Sequence, residues 1–118
     1  MSIELTHYIE RRILNLLLSA MELKEKLPYS SVNFVLSNQI TRMIRFTEKT
    51  YGKAKEAGRG EEFVSLINQV RKEARETKYW IKILKESEGR KPHKTIGFLE
   101  DESEELIRIF GRIIGARN

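Results

Sequence analysis

The sequence predicts an all-α protein: a single up-down-up-down four-helix bundle spanning residues 1–118. Three observations point there. Apolar residues recur at intervals of three and four through four long stretches. The interruptions are short and hold both prolines and most of the glycines. Composition agrees, with 33% charged and 40% hydrophobic residues, rich in Lys, Arg, Glu, Leu and Ile, and no sustained strand-like alternation. A chain of 118 residues suits one domain with one core.

The first helix is expected over 2–26, with Ser2 as its N-cap and Leu5, Ile9, Ile13, Leu16, Ala20, Leu23 and Leu27 as its core stripe. Pro28 disfavours helix at Leu27, and Ser30 or Ser31 can cap the next element. The second helix is expected over 31–57, with Val32, Leu36, Ile40, Met43, Thr47, Tyr51 and Ala54 on its inner side. Gly52 falls inside that pattern, where glycine costs about 1 kcal/mol against alanine. Either a close helix contact requires it or the helix loosens there. Gly58 suits a C-terminal cap.

The third helix is expected over 61–87, with Val70, Ala74, Thr77, Ile81 and Leu84 facing the core. Glu61 and Glu62 favour its N-terminus through the helix dipole, as Lys82 and Lys85 favour its C-terminus. Residues 88–97 form the longest connection. The fourth helix is expected over 99–114, its first turn acidic and its core stripe Leu99, Leu106, Phe110 and Ile113.

These stripes do not absorb all the apolar residues. Leu14 and Leu18 lie on another face of the first helix, Phe46 on another face of the second, and Trp80 and Ile83 at or beyond the edge of the third helix's stripe. A monomeric bundle needs an apolar stripe only about 100° wide per helix. The surplus predicts a homo-oligomer with Leu14, Leu18, Phe46, Trp80 and Ile83 at the interface. The competing reading is a broad core in a small monomer.

Net charge is +5, from 22 Lys and Arg against 17 Asp and Glu. The distribution says more than the total. Residues 42–59 and 71–85 each hold six basic and two acidic side chains, whereas acids gather at 100–105. On a helix, Arg71, Arg75, Lys78 and Lys82, continued by Lys85, form one cationic stripe beside the core face, and Arg42, Arg45, Lys49 and Lys53 form a second. Lined-up cations suit phosphates, which they bind without reading sequence. All of these but Lys85 are the candidate nucleic-acid contacts, to RNA or DNA. The alternative is a solvated face laced with local salt bridges.

Little points to catalysis. His7 and His93 are the only histidines and fit no metal-ligand spacing, cysteine is absent, and Gly58-Arg59-Gly60 is too short for a phosphate-binding loop. The cluster at 100–105 lacks the Glu-x-x-His pairs of di-iron bundles and reads as a helix N-terminus. Trp80 and Tyr79 beside Lys78 and Lys82 offer base stacking, but Trp at a stripe edge reads better as core or interface. No catalytic residue, metal or cofactor is expected. With no signal peptide or membrane-length apolar run visible, the protein is expected in the cytoplasm.

Two related families enter here by resemblance. Lys72-Glu-Ala-Arg-Glu-Thr-Lys-Tyr-Trp-Ile-Lys-Ile-Leu84 and Gln39-Ile-Thr-Arg42 resemble the third and second helices of the four-helix-bundle proteins encoded by intervening sequences of bacterial 23S rRNA genes. Lys91-Pro92-His93, Gly111-Arg112-Ile113-Ile114-Gly115 and Tyr79-Trp80-Ile81-Lys82-Ile83-Leu84 resemble the accessory variability determinant of diversity-generating retroelements. That second resemblance implies a pentameric barrel of bundles. It also implies a non-catalytic role, binding the retroelement reverse transcriptase and its template RNA during mutagenic cDNA synthesis. The alternatives are an rRNA intervening-sequence protein or a module docking an acidic protein partner.

Overall fold

The computed structural model describes residues 1–89 and 93–117. It contains four helices and, among the described residues, no strand: α1 (Ile3–Lys26), α2 (Ser31–Ala57), α3 (Gly60–Ser87) and α4 (Lys94–Arg117). Local chemistry sets the ends. Ser2 Oγ accepts from the Leu5 amide and Ser30 Oγ from the Asn33 amide, each at 3.0 Å, so both serines cap helices. Gly58 closes α2 with φ +73°, a conformation that excludes most side chains, and its amide donates to the Ala54 carbonyl.

Each helix packs on its chain neighbour, and α4 closes the ring on α1; across the diagonal the backbones stay apart and side chains meet, as the Tyr51 and Phe110 rings do at 6.1 Å. Lys24 reaches Asn38 at one end of α1 and α2 while Lys55 reaches Glu10 at the other, so these helices are antiparallel. Lys78 to Glu104 and Lys85 to Glu100 set the same relation for α3 and α4. The molecule measures 45 × 21 × 20 Å. A 27-residue helix such as α2 is about 40 Å long at 1.5 Å per residue. Every outer face therefore runs nearly end to end.

The core follows a three-four spacing that keeps one seam of each helix inward. On α1 the seam is Ile9, Ile13, Leu16, Ala20, Leu23 and Leu27; on α3 it is Phe63, Ile67, Val70, Ala74, Thr77, Ile81 and Leu84. Polar members of the seams bond to their own helix: Thr47 Oγ1 donates to the Met43 carbonyl and Thr77 Oγ1 to the Glu73 carbonyl.

Several expectations need correction. Helix α4 begins at Lys94, five residues early, so Gly97 lies inside it and Glu100 to Glu105 occupy later turns; the first turn holds no acid. The cluster therefore does not serve the helix dipole. The Val32 side chain is exposed, because Asn33 takes the inward position and donates from Nδ2 to the Pro28 carbonyl at 2.9 Å. Neither account of Gly52 holds: α2 is continuous through it, and a Cβ there would meet nothing within 4 Å. Residues 90–92, including the Lys91-Pro92 of the last connection, lie outside the described residues.

One buried carboxylate stands out. Glu73 is only 6% exposed, accepts from Thr50 Oγ1 at 3.0 Å, and leaves Oε1 without a partner. Burial raises its pKa above the ordinary carboxylate value. A raised folded-state pKa means that stability is greatest below the unfolded value and declines as pH rises through the folded one. Glu73→Gln should therefore raise the melting temperature by a few degrees at pH 7.5 and leave it unchanged at pH 4. Thermal melts at both pH values check this; an equal gain at pH 4 would rule out ionisation as the source.

Candidate nucleic-acid interface

The buried seam of α2 turns the opposite side outward. Ile40, Ile44, Thr47 and Tyr51 face the core, and Arg42, Arg45, Lys49 and Lys53 are exposed on the far side. Arg42, Arg45 and Lys49 line a shallow cleft of about 410 Å³ with Lys24 of α1, Asn38, Thr41 and Phe46. Lys53 sits toward α3, where its charge acts on Glu73. Among the described residues none of these four makes an ion pair. The chain has no carboxylate between Glu25 and Glu48, which leaves the outer face of this part of α2 free of acids of its own. That acid-free run is a plain sequence signal, and reading stripes of positive residues alone passed over it.

The cations of α3 meet a different environment. Lys78 pairs with Glu104 at 2.7 Å, and Lys85 with Glu100 at 3.0 Å. The hydrogen bond and charge of Lys78 hold the Glu104 carboxyl below its ordinary pKa. Arg71 turns across α4 and donates from Nε to the Ile107 carbonyl at 3.2 Å. Its guanidinium lies over Gly111, where a Cβ would come within 2.7 Å of Nη2. Arg75 and Lys82 stay exposed and make no ion pair among the described residues. The two candidate stripes are thus not equivalent: all four α2 cations are free, and two of the four on α3 are engaged within the bundle.

The acidic cluster accounts for the pairing of Lys78 and Lys85, whereas Arg71 is held by a backbone carbonyl. The cluster's place in the middle turns of α4 sets Glu100 and Glu104 against α3 and Glu102 against α1. There the Glu102 carboxylate takes a two-point contact from Arg12, at 2.6 and 2.9 Å. The later lysine, Lys85, meets the earlier acid, Glu100, and Lys78 meets Glu104, the reversed order that two antiparallel helices give. Seeing it in the sequence required the correct start of α4.

The interface candidates fall into three settings. Leu14 and Leu18 are about half exposed on α1 and continue into Met21. Trp80 and Ile83 are half-buried against the core; Trp80 makes an edge contact with Tyr79 at 6.0 Å, and its Nε1 is buried without a partner. Phe46 belongs to the basic cleft, with the Arg42 guanidinium 5.6 Å from its ring centre. His7 is exposed, and His93 accepts from the Gly97 amide through its carbonyl. Among the described residues no three His, Asp or Glu side chains are placed to hold a metal, and no helix is long and apolar enough to cross a membrane.

Comparison with known proteins places the fold. The chain is similar to the crystal structure of a protein of unknown function from the S23 ribosomal protein family of Bacteroides thetaiotaomicron, with a TM-score of 0.79 and 24% identity over 93% of this chain and 97% of that one. The four-helix architecture is shared nearly end to end. No family model matches the chain, and no curated protein matches it.

The engaged and free cations of α3 should separate on mutation. Arg71→Ala removes a charged hydrogen bond and should cost about 1–2 kcal/mol. Lys82→Ala at a solvated position should stay within about 0.5 kcal/mol of the parent. Urea unfolding of both variants checks this, and equal effects would contradict the division.

Proposed function

We propose that this protein is a non-catalytic nucleic-acid-binding accessory protein, and that the outer face of α2 makes the phosphate contacts. One observation carries the reading: Arg42, Arg45 and Lys49 share a cleft with Lys24 and have no carboxylate partner. Cations left unneutralised along one rod attract a polyanion and release its counterions on binding. Lys53, Arg75 and Lys82 extend the positive field, whereas Arg71 and Lys78 are engaged with α4. The resemblances in the third and last helices support a retroelement reverse transcriptase and its template RNA as the partners. A second reading, a protein tied to ribosomal RNA, is favoured by the family name of the structural neighbour.

We further propose self-association. The Leu14, Leu18 and Met21 stripe on α1 and the Trp80 and Ile83 edge of α3 are different surfaces on different helices. Joining unlike surfaces head to tail closes a ring, as the resemblance to a pentameric family implies. Phe46 is set apart from that interface, because covering it with another copy would also desolvate Arg42, Arg45 and Lys49.

Two experiments test these readings. In Arg45→Ala/Lys49→Ala, the slope of log affinity for duplex DNA against log salt should fall in magnitude by about two, whereas Lys78→Ala should leave it unchanged. An unaltered slope in the double variant would remove α2 as the phosphate-binding face. Light scattering of Leu14→Glu/Leu18→Glu should give the mass of one chain while the parent gives a multiple. A parent of single-chain mass would end the ring proposal.

A further inference from the structure

Two phenyl rings stand on the surface of α2 where the cations are free. Phe34 is 54% exposed and Phe46 is 44% exposed. Each has a cation close above it: Lys24 Nζ is 5.8 Å from the Phe34 ring centre, and the Arg42 guanidinium is 5.6 Å from that of Phe46. Lys24 lines both the cleft around Phe46 and a neighbouring depression of about 270 Å³ that contains Phe34, so the two sites are continuous. Its ammonium donates to Asn38 Oδ1 between them. The one acidic side chain lining either depression is Glu25, in the depression that contains Phe34.

Exposed phenyl rings on a solvated helix normally await an apolar partner. Here such a partner would have to desolvate Arg42, Arg45 and Lys49 with no carboxylate lining their cleft to compensate. The occupant that satisfies both features carries negative charge and flat apolar faces in alternation. Single-stranded nucleic acid is that chemistry: bases stack on aromatic rings while phosphates meet nearby cations. Duplex nucleic acid offers the phosphates but keeps its base faces stacked inside. The rings are twelve residues apart on α2, about 18 Å along the axis at 1.5 Å per residue. That distance spans roughly five nucleotides at a stacked spacing of about 3.4 Å.

We infer that the α2 face is a single-strand platform on which Phe34 and Phe46 stack bases and Lys24, Arg42, Arg45 and Lys49 hold the intervening phosphates. The inference rests on the nucleic-acid reading above and adds the strandedness of the ligand.

Fluorescence anisotropy with a labelled dT dodecamer and a duplex of equal length, at low salt, tests it. The parent should favour the single strand. Phe34→Ala/Phe46→Ala should weaken single-strand binding by at least about fivefold per ring and move duplex binding less than twofold. Phe34→Tyr/Phe46→Tyr should restore the loss. Phe34→Leu/Phe46→Leu, which keeps apolar bulk on the helix, should not. Parallel losses on both ligands, or no loss on either, overturn the platform, as does polyglutamate competing as well as unlabelled dT. If binding persists and depends on Arg45 and Lys49 but not on the rings, the platform fails and the phosphate-binding face stands. If the parent binds neither ligand, both proposals fail.

Discussion

The rotational setting of each helix is the constraint on which the rest depends. Four apolar seams of three-four spacing close on one another, and once they do, every other position has its direction fixed. Phe63, Phe110, Ile40, Ile44 and Ile81 lie within 1% of complete burial. Turning α2 by one residue, about 100°, would bring its cations into a space lined mainly by apolar side chains, with nothing there to pair them. The outward aim of Arg42, Arg45 and Lys49 is therefore a by-product of core packing. Nothing else along α2 needs to hold those side chains outward.

Cations of the same type then part company according to what lies across the groove. Lys78 and Lys49 are both long side chains on outward or boundary positions of long helices. Lys78 faces Glu104 of α4. Lys49 faces a cleft whose other lining residues are Lys24, Asn38, Thr41, Arg42, Arg45 and Phe46. Exposed ion pairs of the first kind contribute little to folding. Their effect is to subtract charge from one side of the molecule. The acids of α4 offset charge on the α3–α4 side, whereas no acid lines the α2 cleft.

Much of this was legible beforehand. The periodicity gives α2 residue for residue and α1 and α3 to within one residue at the start; hydroxyl chemistry gives Ser2 as an N-cap and narrows the second to Ser30 or Ser31, of which Ser30 is the one used. The cationic stripes were equally plain. Their fates were not, because pairing across helices depends on register between elements, which periodicity within one helix does not contain. The misplaced start of α4 compounded this. Lys94-Thr95-Ile96-Gly97 carries a glycine and follows a proline, and both mimic a connection. Reading the acids after it as a helix N-terminus hid their role as counter-ions. The setting of Phe34 is hidden for a related reason: the cation beside its ring is Lys24, a residue of another helix.

Gly111 carries a consequence beyond packing. With no side chain there, α4 has a notch in which the Arg71 guanidinium lies flat, reaching the Ile107 carbonyl. One methyl group at that position would leave α4 intact but evict the guanidinium, which is the movable end of a long flexible arm. The evicted group would join Arg75 in water on the same helix. Positions 71 and 111 thus act as a toggle on the surface electrostatics: whether residue 111 bears a Cβ determines whether residue 71 is mortar or antenna.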